Sequence, residues 1–298
     1  MITSSQRGET IVLEKIDSTV SKKLQELKTN LVFHSETCDK HEIRAHGNVV
    51  SNPVQMMVID GQVVCPRCEL ENESLKVANA LKQEHEERLK NIFTSRSVVT
   101  DETLLKASFA TYTRNLVEDS EEKLNKSLAE KYAQDYLDGK IFNLIFQGKQ
   151  GTGKSHLSYS ILREVNEKSK GTSCVFVEWA VVIQSIRDSY KYRDQQDDES
   201  YYIDLLSKVD LLVIDDLGSE TGATDTEKTA TDFVHRVLKL VGTARQSKST
   251  IVTTNLSGEQ LVKMYDSKTI SRLLKNPEYI MFTNAPDKRI AKDKGVTS

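Results

Sequence analysis

The chain has 298 residues, of which 38% are hydrophobic and 29% charged, with a formal net charge of -3. This length suits one large domain or two modest ones, and the apolar content is enough for a sizeable core. The near-neutral sum excludes a protein that coats nucleic acid through bulk charge, though it leaves room for a local basic surface. No apolar run approaches the roughly 20 residues that span a bilayer. The opening MITSSQRGETIVLEK lacks the apolar stretch of a secretory signal, so a cytoplasmic location is expected.

In chain order, Ile11, Leu13, Ile16, Val20, Leu24, Leu27 and Leu31 recur at spacings of two to four, which predicts a helix over residues 9–33. Residues 34–70 differ, with Pro53, Pro66, the β-like run VQMMVI and three of the four cysteines. Cys38-Asp-Lys-His41 and Cys65-Pro-Arg-Cys68 form a C-x2-H and a C-x2-C pair with 23 residues between them. Ligands two residues apart can turn back on one ion, and two such pairs close a tetrahedron of thiolate and imidazole, as Zn²⁺ prefers. No fifth ligand or open position is suggested, so the expected role is structural: folding energy for a segment too small for its own core. The alternatives are a disulfide framework, which a cytosolic chain disfavours, and scattered buried thiols. His34 and His46 are substitutes for His41 at less regular spacing, and Cys174, inside an apolar run, reads as core. The acidic flanks (Glu36, Asp39, Glu42, Glu69, Glu71, Glu73) make nucleic acid a poor partner for this segment.

Residues 71–91, ENESLKVANALKQEHEERLKN, predict a solvated charged helix joining two units, and residues 101–139 predict two further helices ending at Gly139. Apolar runs then occur at IFNLIF (141–146), CVFVEW (174–179), LLVID (211–215), TIVTT (250–254) and YIMF (279–282), with amphipathic or polar segments between them. Short β-branched runs alternating with helices predict an α/β fold whose parallel sheet is covered on both faces.

The stretch GKQGTGKS at 148–155 satisfies G-x-x-x-x-G-K-[ST] through Gly148, Gly153, Lys154 and Ser155, with Gly151 and Thr152 as further nucleotide-facing candidates. Glycines let backbone N–H groups face phosphate oxygens, Lys154 would reach the β- and γ-phosphates of ATP, and Ser155 would hold Mg²⁺. The helix beginning near Ser155 adds the positive end of its dipole. Sixty-one residues after Lys154, Asp215 ends the apolar run of LLVIDDLG, where its carboxylate could bind the magnesium through water. Asp216 is the candidate to position or deprotonate the attacking water, with Glu220 in reserve. Asn255, just past TIVTT, lies where an amide would face the ligand crevice of such a sheet.

GKQGTGKSHL, VDLLVIDDLG, STIVTTNLS and TISRLL stand in the order and spacing of the AAA+ ATPases, and over about residues 103–284 the chain resembles the DnaC/DnaI-type replicative helicase loaders, with IstB transposition ATPases as close relatives. The resemblance implies an AAA+ P-loop NTPase core with a five-stranded parallel sheet between helices, and ATPase sites shared between neighbouring subunits. Lys154, Ser155, Asp215, Asp216 and Asn255 would form the cis half, and Arg272 in SRLL the arginine finger offered to a neighbour. Arg245 is a second interface candidate, and Arg289 a late nucleotide contact. Only 26 residues follow Arg272, so neither a helical C-terminal lid nor a DNA-binding helix-turn-helix of the DnaA-initiator kind is expected. The resemblance also implies a small N-terminal zinc-binding α+β domain that grips the helicase. The expected organisation is 1–75 as that domain, 76–102 as a charged helical linker and 103–298 as the ATPase domain. The implied partners are a hexameric replicative helicase, single-stranded DNA and further copies of the chain, with no membrane. An IstB-like ATPase acting on duplex DNA and a nucleotide-binding adaptor without hydrolysis are the competing readings.

Overall fold

The computed structural model describes residues 32–45, 47–59, 61–112, 120–191, 198–221 and 229–285. They belong to two compact units, Met1–Gln83 and Glu84–Ser298.

The first unit holds strands β1 (Val32–Cys38), β2 (Glu42–Ala45), β3 (Asn48–Ser51), β4 (Val54–Ile59) and β5 (Gln62–Val64), followed by the start of helix α1 (Pro66–Arg96). β1, β4 and β5 form an antiparallel sheet in that order, and β2 pairs with β3 as a separate hairpin. The helix expected over 9–33 lies outside the described residues except at its end, where the expectation fails. Val32 and Phe33 open β1 instead, because they pair with Val58 and Met57 of β4. Pro66 starts α1, a position where its missing N–H costs nothing. Only Phe93 of α1 is buried, and exposed pairs such as Arg67–Glu71 and Lys76–Glu73 lie along it. This is the solvated helix expected from its charge, longer at both ends. Among the described residues of this unit only His41, Met57 and Cys65 are buried.

In the second unit the stretch 101–139 forms a 3₁₀ turn (Leu104–Lys106) and two helices, α2 (Phe109–Tyr112) and α3 (Glu121–Leu137). Ser120 caps α3 by accepting the backbone N–H of Lys123. After it β6 (Asn143–Gly148), α4 (Lys154–Lys168), β7 (Cys174–Glu178), α5 (Trp179–Ser189), α6 (Glu199–Lys208), β8 (Leu211–Asp215), α7 (Asp232–Ala244), β9 (Ser249–Thr254), α8 (Gly258–Tyr265), α9 (Ser267–Leu273) and β10 (Pro277–Phe282) follow. The five strands form one parallel sheet in the order β10-β6-β9-β8-β7. Alternate residues feed two separate cores. Ile145, Val175, Val177, Leu212, Ile214 and Val252 pack with α5–α9, while Leu144, Phe146, Phe176, Val213 and Ile251 pack with α3 and α4. With both faces buried, each strand reads as a near-continuous apolar run, which is why five such runs could be picked out by eye. Among the described residues no helix is long and apolar enough to cross a membrane.

Candidate functional site

The phosphate loop runs from the end of β6 to the start of α4. Gly148 and Gly153 both have positive φ, 151° and 99°. A Cβ at Gly148 would lie 2.3 Å from the Phe282 carbonyl oxygen, and one at Gly153 would lie 2.8 Å from the Tyr112 ring, so neither position admits a side chain without displacement. Thr152 is buried and donates to the Lys149 carbonyl (2.9 Å), bracing the loop from within. Lys154 Nζ donates to the carbonyls of Gly148 (2.8 Å) and Lys149 (2.7 Å) and to Asn255 Oδ1 (2.7 Å).

The acidic residues meet this loop from the next strands. Asp215, 6% exposed, ends β8 and accepts a 2.6 Å hydrogen bond from Thr253 Oγ1. Burial drives its carboxyl up to about 6, against the pull of hydrogen bonds from Thr253 and Ser155 and with the added repulsion of Asp216 and Glu178. Asp216 has a left-handed backbone (φ 53°), a costly conformation for a residue with a side chain. Its Oδ1 accepts from Asn255 Nδ2 at 3.0 Å. Asn255 thus bridges Lys154 on one side and Asp216 on the other. Together these residues line a cleft of about 860 Å³ at the C-terminal ends of β6, β8 and β9, the edge where parallel α/β sheets bind ligands. Gly151, Gly153, Lys154, Ser155, Asp215, Asp216 and Asn255 face this cleft, while Gly148 and Thr152 support it.

Three candidates stand elsewhere. Arg272 on α9 is exposed, bonded through Nη1 to Thr243 Oγ1 at 3.4 Å, and does not line the cleft of its own chain. Arg245 corrects the expectation of an interface arginine. It is 3% exposed, and its guanidinium donates to Thr250 Oγ1 and to the carbonyls of Leu206, Val209, Asp210 and Ser249. Five donors satisfied inside one chain leave nothing to offer a neighbour, and burial lowers its pKa to about 10. Glu220, the reserve base, accepts from the Gly218 N–H (3.0 Å) and from Tyr265 O–H, outside the cleft lining. Arg289 lies outside the described residues.

Several cleft residues were not singled out from the sequence. Glu178 ends β7 directly beside Asp215 in register, and both its oxygens are held by Thr100, through the backbone N–H (2.6 Å) and the hydroxyl (2.5 Å). The same rule that found Asp215, an acidic residue at the C-terminal end of a buried strand, would have found it. Thr100, Tyr112 and His156 line the cleft as well, and no local pattern marks Thr100 or Tyr112.

In the first unit Cys38, His41, Cys65 and Cys68 converge, their ligand atoms all within 4.8 Å of one another. Cys38 Sγ lies 3.7 Å from Cys68 Sγ, and His41 Nε2 lies 3.1 Å and 3.3 Å from the sulfurs of Cys65 and Cys68. The edge of a tetrahedron with zinc–sulfur bonds of about 2.3 Å is about 3.8 Å, so the set is compatible with zinc. At Cys65 burial raises the thiol pKa, but hydrogen bonds from the Cys68 and Arg67 backbones and from His41 outweigh it and bring it to about 7. Cys68 is pushed up to about 11 by burial and by its two thiol neighbours. Behind His41, its Nδ1 lies 3.6 Å from Glu71, which Arg67 holds at 3.1 Å. His34 sits on β1 outside the cluster, and His46 lies outside the described residues.

Loop, paired carboxylates and five-stranded parallel sheet define the second unit as a P-loop NTPase of the AAA+ kind. The family model of the bacterial DnaA ATPase domain matches residues 108–276, more than half of the chain, and the chain belongs to that family. It is 29% identical over 157 residues to the "Replicative helicase loader DnaC" of Escherichia coli (strain K12), a match covering 52% of this chain and 60% of that one. A further match, to the "Chromosomal replication initiator protein DnaA" of Bacteroides thetaiotaomicron, is 30% identical but covers 39% of this chain and 24% of the other. Among solved structures, the DnaC helicase loader superposes with a TM-score of 0.49 at 21% identity, covering 61% of this chain and 99% of that one. The chain therefore spans less than two thirds of the curated loader it matches.

Proposed function

We propose that this protein is an ATPase that loads a hexameric replicative helicase onto single-stranded DNA, with each ATP site completed by a neighbouring copy. The reading rests above all on the convergence of Lys154, Ser155, Asp215, Asp216 and Asn255 on one cleft, in a chain similar to a replicative helicase loader. The site would take Mg²⁺, whose positive charge would offset that of the phosphates. Ser155 and Asp215 would hold it, and Lys154 would exchange its loop carbonyls for the β- and γ-phosphates. Asn255, already bonded to Asp216, would align the attacking water with that carboxylate as proton acceptor. Arg272, exposed and outside its own cleft, would exchange its bond to Thr243 for a neighbour's γ-phosphate. The Cys38–His41–Cys65–Cys68 set would hold structural zinc, and its unit would choose the helicase partner.

The test is ATP turnover with helicase and single-stranded DNA present. Lys154→Ala should abolish nucleotide binding. Arg272→Ala should lower turnover by about 10³-fold while sparing binding. Because each variant spoils a different half of the site, mixing the two inactive proteins should restore part of the activity. An inactive mixture would count against shared sites, and an inactive parent would favour the adaptor reading. Preference for duplex over single-stranded DNA would favour the transposition-type reading.

A further inference from the structure

We propose that Thr253 is the positioning residue for both carboxylates of the ATP site, so that the strand β9 rather than β8 sets where Asp215 and Asp216 point. The proposal rests on the ATPase reading above. Thr253 is 1% exposed, one residue from the end of β9. Its hydroxyl is used in both directions: it donates to Asp215 Oδ1 (2.6 Å) and accepts from the Asp216 backbone N–H (2.8 Å). A hydroxyl has one hydrogen, so donation to Asp215 fixes its direction and leaves the lone pairs for Asp216. The second contact holds the backbone of a residue in the left-handed conformation (φ 53°).

The neighbouring bonds extend the same clamp. The Leu217 N–H donates to the Thr253 carbonyl (2.9 Å), and Thr254 Oγ1 donates to the Leu217 carbonyl (2.8 Å). The acidic turn after β8 is therefore tied to β9 at successive residues, and Asn255 takes up Asp216 from the end of the same strand (3.0 Å). Two threonines followed by an asparagine thus act as one device, with the amide reaching the cleft and the hydroxyls holding what it must meet.

The experiment compares Thr253→Val, which keeps shape and removes the hydroxyl, with Thr253→Ser, which keeps the hydroxyl. Melting temperatures establish that both fold. Thr253→Val should lower kcat by about 10- to 100-fold, the loss expected when a hydrogen bond to a charged group is removed. Its affinity for a fluorescent ATP analogue at saturating Mg²⁺ should stay near the parent's. Thr253→Ser should stay within a few-fold of the parent. Parent-like kcat in Thr253→Val would overturn the proposal, as would a Thr253→Ser variant as impaired as the valine. If the parent shows no turnover, the ATPase reading falls by itself. The role of Thr253 is then decided by the Mg²⁺ concentration that half-saturates binding of the fluorescent analogue: a several-fold rise in Thr253→Val supports it and no change refutes it.

Discussion

The two units of this chain solve the same problem by different means. In the first, three buried residues among those described, His41, Met57 and Cys65, are all there is of a core, while Val32, Phe33, Val49 and Val50 stay exposed. Two of those three belong to the Cys–His set, so that set occupies the place of a hydrophobic centre. In the second, a buried sheet carries a full apolar core on each face. Unit size decides between them, because the fraction of surface a short segment can bury is too small to offset its chain entropy. The difference also predicts where each unit tolerates change. With zinc held as proposed, the first would depend on four ligands, whereas the second spreads its stability over many contacts and can bear unfavourable groups at its cleft.

The largest contrast should come from metal removal. Chelation should abolish amide protection in β1–β5 and leave the strands β6–β10 protected, as hydrogen exchange would read. Loss of protection in both units together would erase the distinction. Ile161→Ala, in the fully buried middle of α4, should destabilise the second unit by about 2–5 kcal/mol in urea unfolding and leave zinc content unchanged. Asp215→Asn should act in the reverse direction. Its carboxyl titrates at about 6 in the fold, above the usual carboxylate value of about 3.9, so the unfolded chain ionises first and stability falls as pH rises between these values. The neutral amide should therefore stabilise the nucleotide-free second unit by up to about 3 kcal/mol at pH 7.5, with no gain at pH 4. Turnover should be lost at the same time. The smallest effect is at Glu71→Gln, which weakens the carboxylate behind His41 and should reduce zinc affinity by about 10-fold in competition with a chromogenic chelator.

The legibility of the site varied with how local its signals are. The loop glycines, Lys154 and Ser155 form a contiguous motif whose residue types follow from phosphate chemistry, and Asp215 is marked by the apolar strand it ends. Cys38, His41, Cys65 and Cys68 were legible as two pairs because thiols and imidazoles two residues apart have few other uses. Arg245 misled because a guanidinium near a helix end looks the same in sequence whether it faces a neighbour or five acceptors of its own chain. Glu178 went unread because its importance lies in its register beside Asp215, and Thr253 because threonine in a strand is ordinary.

The sequence by itself determined the α/β alternation, the phosphate loop, the acidic strand end and the Cys–His pairs, since each depends on residue type at short spacing. Only the tertiary structure decided the strand order β10-β6-β9-β8-β7, and with it which side chains meet. That order places β9 beside β8, lets one threonine hydroxyl hold two carboxyl-bearing residues, and turns Arg245 inward. Hydrogen bonds between strands far apart in the chain carry no sequence spacing, so they become visible only once the sheet is assembled.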